Sequence, residues 1–259
     1  MIVRATYPHR LRRLRRAALC GLVRRYPALQ SLLPAIEPLN VLRFADARHS
    51  ELMVFLPGIG DVPEDLERNG FLQALRDSAR PADIAVADVH FGYYVRRSVL
   101  ERLRVDVIEP AKSCGYATIC LIGISLGGLG ALLYAMEHPA DVQGLMLLAP
   151  YLGDASLAKE IEDAGGLKLW DARDVDVDDH PRKLWRWLKQ CAVSPGNCKL
   201  AETYLGFGDR DSFAPGNALL GDLLPKDRVF TVRGGHDWQT WERLWRMFLA
   251  ERDSQLQAG

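Results

Sequence analysis

From residue 51 onward the chain alternates between two hydrophobic rhythms. Glu51–Leu56 (ELMVFL) is a short, nearly unbroken apolar run ending on Pro57-Gly58, the pattern of a strand buried on both faces. Residues 63–79 then place Leu66, Phe71, Leu72 and Leu75 at helical spacing. The alternation continues with a strand over 83–89 and a helix over 98–112 that turns Leu100, Leu103, Val107 and Ile108 inward. A strand over 118–123 (TICLIG) leads to a helix over 126–138, stopped by Pro139. Further strands are predicted over 143–148, 203–206 and 228–232, with a closing helix over 237–252. Strands apolar on both faces and separated by helices need cover on both sides. The predicted class is therefore α/β, a mostly parallel sheet with helices on both faces. Right-handed crossovers gather the carboxyl ends of such strands on one edge, where chemistry collects.

One long interruption, residues 151–200, reads as a small helical cap inserted into this domain, with a helix over 181–190. Trp170, Trp185, Trp187, Leu167, Leu169, Leu184 and Leu188 either wall an acyl pocket under a lid or simply pack the cap onto the sheet. The aspartates at 171, 174, 176, 178 and 179 lack the glycine and terminal glutamate of a calcium loop, so they read as a solvated acidic linker.

Charge adds an arm to this picture. Residues 1–30 contain eight arginines and no acid, whereas the whole chain is formally neutral, so the remainder carries −8. Leu11, Leu14, Ala18 and Leu22 fall on one helical face among those arginines. Residues 1–38 are therefore a basic amphipathic arm, distinct from a main domain over 39–259. The arm either lies on the acidic remainder of the molecule or touches an anionic membrane peripherally. Overall neutrality argues against a nucleic-acid partner, and no apolar run reaches the roughly 18 residues of a membrane span. Five cysteines without a C-x-x-C pair indicate neither a zinc site nor a disulfide framework, which makes reducing cytoplasm the expected compartment.

The candidate chemistry sits at strand ends. Gly123-Ile124-Ser125-Leu126-Gly127 follows a predicted buried strand and opens a helix, the setting of a nucleophile elbow. The sharp turn aims the Ser125 hydroxyl off the sheet edge and leaves the Leu126 N–H free for a developing oxyanion. A serine hydroxyl needs a base. His236, in a loop after the 228–232 strand, is favoured; His90, also following a strand, is the competitor. The base needs an acid to hold its tautomer. Asp211 is favoured over its neighbour Asp209 in the loop after 203–206, and Asp154 is a further option. Pro57-Gly58-Ile59-Gly60-Asp61 supplies the second oxyanion donor, the Ile59 N–H.

The order Ser125, Asp211, His236, with a glycine loop upstream, resembles the α/β-hydrolase superfamily over residues 40–252. Residues 123–132 (GISLGGLGAL) and 235–241 (GHDWQTW) are similar to segments of the esterase D and enterochelin-esterase-like groups. That resemblance implies cleavage of a small-molecule or lipid-like carboxylic ester through an acyl-serine, with no metal or organic cofactor. A thioesterase, acyltransferase or carbon–carbon hydrolase would use the same three side chains. A non-catalytic binding protein of this fold would be expected to have lost one of them. Pro57-Gly58 stands where many members have His-Gly.

Overall fold

The computed structural model describes residues 38–44, 49–171, 175–176, 179–194 and 201–258, together with residues 14, 16, 18 and 19. Seven strands form one sheet in the order β1-β3-β2-β4-β5-β6-β7. They are β1 Val41–Phe44, β2 Glu51–Leu56, β3 Asp83–Ala87, β4 Thr118–Ile124, β5 Gly144–Leu148, β6 Glu202–Gly208 and β7 Val229–Val232. All neighbours pair in parallel except β1, which runs antiparallel to β3 at the edge. β2 is buried along its whole length, as a strand covered on both faces must be.

The helices are α1 Glu64–Arg68, α2 Phe71–Arg76, α3 Phe91–Val95, α4 Val99–Ser113, α5 Leu126–Glu137, α6 Ala155–Asp163, α7 His180–Val193, α8 Ala214–Gly221 and α9 Trp238–Ala258. The single helix expected over 63–79 is two short ones. Gly70, at φ 77°, turns the chain into a left-handed conformation that a helix interior does not accept. Its expected inward face still holds: Leu66, Phe71, Leu72 and Leu75 are all buried. Within α4, Pro110 has no N–H to give and its ring crowds the carbonyl four residues back. The helix widens there into one π turn over Arg104–Ile108, in which the Glu109 N–H reaches back five residues to the Arg104 carbonyl.

Residues 151–200 contain α6 and α7, and α7 packs on α5 beside the sheet. Trp185 is fully buried and donates to the Leu152 carbonyl (2.8 Å). Trp170 is buried as well and donates to Glu160 (2.8 Å), whose carboxyl the Arg182 guanidinium holds down to about 2. Trp185 thus ties α7 to the segment just past β5, and Trp170 ties the stretch after α6 back onto that helix. Leu169, by contrast, is exposed. Asp174 and Asp178 of the acidic run lie outside the described residues, while Asp179 caps α7 by accepting the Arg182 N–H.

Among the described residues, Cys114 lies at the surface and Cys120 in the core. Cys191, on α7, is disulfide-bonded, which corrects the expectation of no disulfide. A disulfide does not need the C-x-x-C spacing that the sequence lacks. A persisting disulfide belongs to oxidising compartments, so the cysteine pattern no longer argues for reducing cytoplasm. Among the described residues no helix is long and apolar enough to cross a membrane.

At the amino end of the strands, Arg252 of α9 is buried against Glu51 of β2, with Nη2 2.5 Å from Oε2 and Nη1 donating to the Arg80 carbonyl. Removing one partner of such a pair strands a buried charge. Arg252→Met is therefore expected to destabilise the fold by about 3 kcal/mol, read from the midpoint of a urea unfolding curve, without altering the opposite, carboxyl ends of the strands. Arg80, 3.2 Å from the same carboxylate but more exposed, tempers the loss.

Candidate active site

The elbow forms where β4 ends. Ser125 has φ 52° and ψ −117°, a conformation costing a non-glycine residue about 1–3 kcal/mol. Neighbouring backbone holds it there: the Ser125 N–H donates to the Leu148 carbonyl (3.0 Å), and the Ser125 carbonyl accepts from Gly128 (2.9 Å) and Tyr151 (2.8 Å). The end of β5 thus clamps the turn from the side. Glycine is required on both flanks by close approach. A Cβ at Gly127 would strike the Leu56 carbonyl, and one at Gly123 would strike the Gly128 backbone.

The candidate acid and the candidate base arrive on two loops that are stitched together. After β6, the Asp209 N–H donates to the Val232 carbonyl (2.9 Å) and the Arg210 N–H to the Gly234 carbonyl (2.9 Å). In return the Gly234 N–H donates to the Asp209 carboxylate (3.0 Å). The backbones come so near that a Cβ on Gly208 would meet Gly234. This arrangement places Asp211 beneath His236.

The buried Asp211 carboxylate receives the Phe213 N–H on Oδ1 (2.9 Å) and the His236 ring on Oδ2. His236 Nδ1–H donates to Oδ2 at 2.7 Å, which leaves Nε2 to accept the Ser125 Oγ–H at 2.9 Å. A carboxylate can only accept, so the tautomer follows from the contact. Two aromatic edges fix the plane of the imidazole: Phe213 at 5.0 Å and Trp241 at 4.9 Å between ring centres, both nearly perpendicular to it. Sequence reasoning did not single out these two, although Phe213 lies two residues beyond Asp211 and Trp241 five beyond His236.

The competitors occupy other roles. Asp209 ties the histidine loop, as described. Asp154 caps α6 by accepting the Ser156 and Leu157 N–H groups. His90 caps α3, its Nδ1 accepting the Gly92 N–H (3.1 Å), and burial lowers its imidazole to about 4 with help from Arg16. That leaves His90 neutral and already engaged.

The oxyanion candidates are close by. Gly58 approaches so closely that a Cβ there would lie 3.5 Å from Ser125 Cβ, and the Gly58–Asp61 turn closes through the Asp61 N–H to the Gly58 carbonyl (3.2 Å). Leu126 opens α5, ahead of the helical hydrogen-bond ladder. Among the described residues neither the Ile59 nor the Leu126 N–H has a backbone acceptor.

The model of the Esterase family ("Putative esterase") matches residues 105–250, more than half of the chain and the span from α4 through the His236 loop into α9. The chain belongs to the Esterase family. It is a carboxylic ester hydrolase. Solved structures agree on the architecture. Est1E from Butyrivibrio proteoclasticus superposes with a TM-score of 0.57 at 16% identity, covering 85% of this esterase and 95% of that chain. S-formylglutathione hydrolase (FrmB) from Staphylococcus aureus gives 0.55 at 15% identity, covering 82% and 89%. A bacterial membrane phospholipase A gives 0.52 at 19% identity, covering 92% and 91%. At such identities the likeness establishes the α/β-hydrolase fold. No curated protein sequence matches this esterase.

Proposed function

We propose that this esterase works by acyl transfer to Ser125. His236 takes the hydroxyl proton as Oγ attacks the ester carbonyl, and Asp211 stabilises the imidazolium that results. The Ile59 and Leu126 N–H groups receive the negative oxygen, each such donor lowering the barrier by roughly 3 kcal/mol. As the tetrahedral intermediate collapses, the His236 proton passes to the leaving alkoxide and an acyl-serine remains. His236 then deprotonates a water that attacks the acyl carbon, and the carboxylic acid leaves as Ser125 recovers its proton.

One observation carries this reading: a buried carboxylate, an imidazole and a strained elbow serine lie in line at 2.7 and 2.9 Å. Asp211 and His236 come from loops 86 or more positions away from Ser125 in the sequence. Catalysis is the simplest use of such convergence. The test is a fluorophosphonate probe followed by peptide mapping. The expected result is a single adduct on Ser125, lost in His236→Ala; an adduct on another serine, or none, overturns the assignment.

A further inference from the structure

The basic arm enters the catalytic edge through one side chain. Arg16 lies on a helical stretch in which Leu14, Ala18 and Leu19 face solvent, whereas its own guanidinium is largely buried. Leu14 and Ala18 of the expected apolar face therefore point outward, and Arg16 points in. Arg16 Nη1 lies 2.6 Å from Oδ1 of Asp88, a nearly buried carboxylate just past β3, and donates to the main-chain carbonyl of Asp61 at 2.8 Å. One nitrogen thus spans the end of β3 and the last residue of the Gly58–Asp61 turn.

We propose that Arg16 is a positioning residue for the oxyanion loop, holding the Gly58–Asp61 turn against the end of β3 so that the Ile59 N–H keeps its aim. The need for a tether is local. The turn is fixed at its start, where Leu56 abuts Gly127 of the elbow, but its middle is Gly60, at φ 110°, with open space around its Cα. Such a residue resists rotation weakly. Fixing the Asp61 carbonyl closes the far end, and the intervening Gly58–Ile59 peptide is then held from both sides. Asp88 serves as the anchor: its own N–H donates to the Asn40 carbonyl (2.9 Å), so the carboxylate is held to the edge of the sheet. The arm is in this way part of the catalytic apparatus.

The inference rests on the acyl-serine reading and is separable from it. Arg16→Met should lower kcat on p-nitrophenyl acetate by about 10- to 100-fold, less than outright loss of an oxyanion donor, with KM unchanged within twofold. The inhibition constant of an aryl trifluoromethyl ketone, which adds Ser125 Oγ and places an oxyanion in the hole, should rise by the same factor as kcat/KM falls. Because Arg16→Met also removes an ion-pair partner of Asp88, the double variant Arg16→Met/Asp88→Asn supplies the control. It should recover the melting temperature but keep the low kcat, since the Asp61 carbonyl is still untethered. Recovery of kcat together with stability would reduce Arg16 to an ion-pair partner and overturn the proposal, as would a folded Arg16→Met with wild-type kcat and ketone affinity. A wild-type enzyme that fails to take fluorophosphonate on Ser125 would remove both readings; normal wild-type labelling with an unaffected Arg16→Met would remove only this one.

Discussion

Ser125→Ala is expected to lower turnover of p-nitrophenyl acetate by a factor on the order of 10⁵–10⁶. The loss is that large because the serine and histidine act as one unit: without Oγ there is no acyl acceptor for His236 to activate. Whatever rate survives reflects water attacking a substrate held in the oxyanion site. The fold should not suffer, since alanine replaces only a hydroxyl and the turn's backbone clamps from Leu148, Gly128 and Tyr151 do not involve that side chain. The measurement is kcat against protein mass, with melting temperature and affinity for a carboxylate product as controls. Retention of a tenth of the activity would assign the nucleophile elsewhere.

Asp211→Asn is expected to cost about 10⁴ in kcat, and the geometry says why an isosteric change is so damaging. Oδ1 of Asp211 accepts the Phe213 N–H, so an asparagine must place its carbonyl oxygen there. Its amide nitrogen then faces His236 Nδ1 and donates to it. The imidazole proton moves to Nε2, the atom that must receive the proton of Ser125. Asp209→Asn is the matched control, because its Oδ1 accepts the Gly234 N–H, which an amide oxygen does equally well, and its ion pair with Arg210 is exposed and long (3.8 Å). That variant should stay within a few-fold of wild type. Nitrogen NMR of the histidine ring should show the tautomer switch in Asp211→Asn alone. If the two substitutions exchange their effects, Asp209 is the orienting acid.

How far these positions could be read from sequence depends on how local their cause is. The fully buried strands β2 and β4 announce themselves, because cover on both faces leaves little but apolar residues. The edge strand β1 escaped notice: Val41–Phe44 is four residues long, contains an arginine and pairs on one side only. Helices α3 and α8 were missed for a similar reason, each being too short to establish a helical period. The elbow was legible since its glycines answer to collisions within a few residues. Spacing, three residues past Gly208, favours Asp211 over Asp209 only weakly, as both sit in one loop and differ in what they face across the fold. Arg16 was invisible in this respect, one arginine among eight whose partners lie 45 and 72 residues downstream.

The stitching of the Asp211 loop to the His236 loop makes one hydrogen-bonded unit of the two. Carboxylate and imidazole both ride on that unit, whereas the nucleophile stands apart from it, at the junction of β4 and α5. The 2.9 Å contact between Nε2 and Oγ is where that pair meets the elbow. A substitution that shifts either loop is therefore expected to carry carboxylate and imidazole together, lengthening the reach to Ser125 while their own contact is kept.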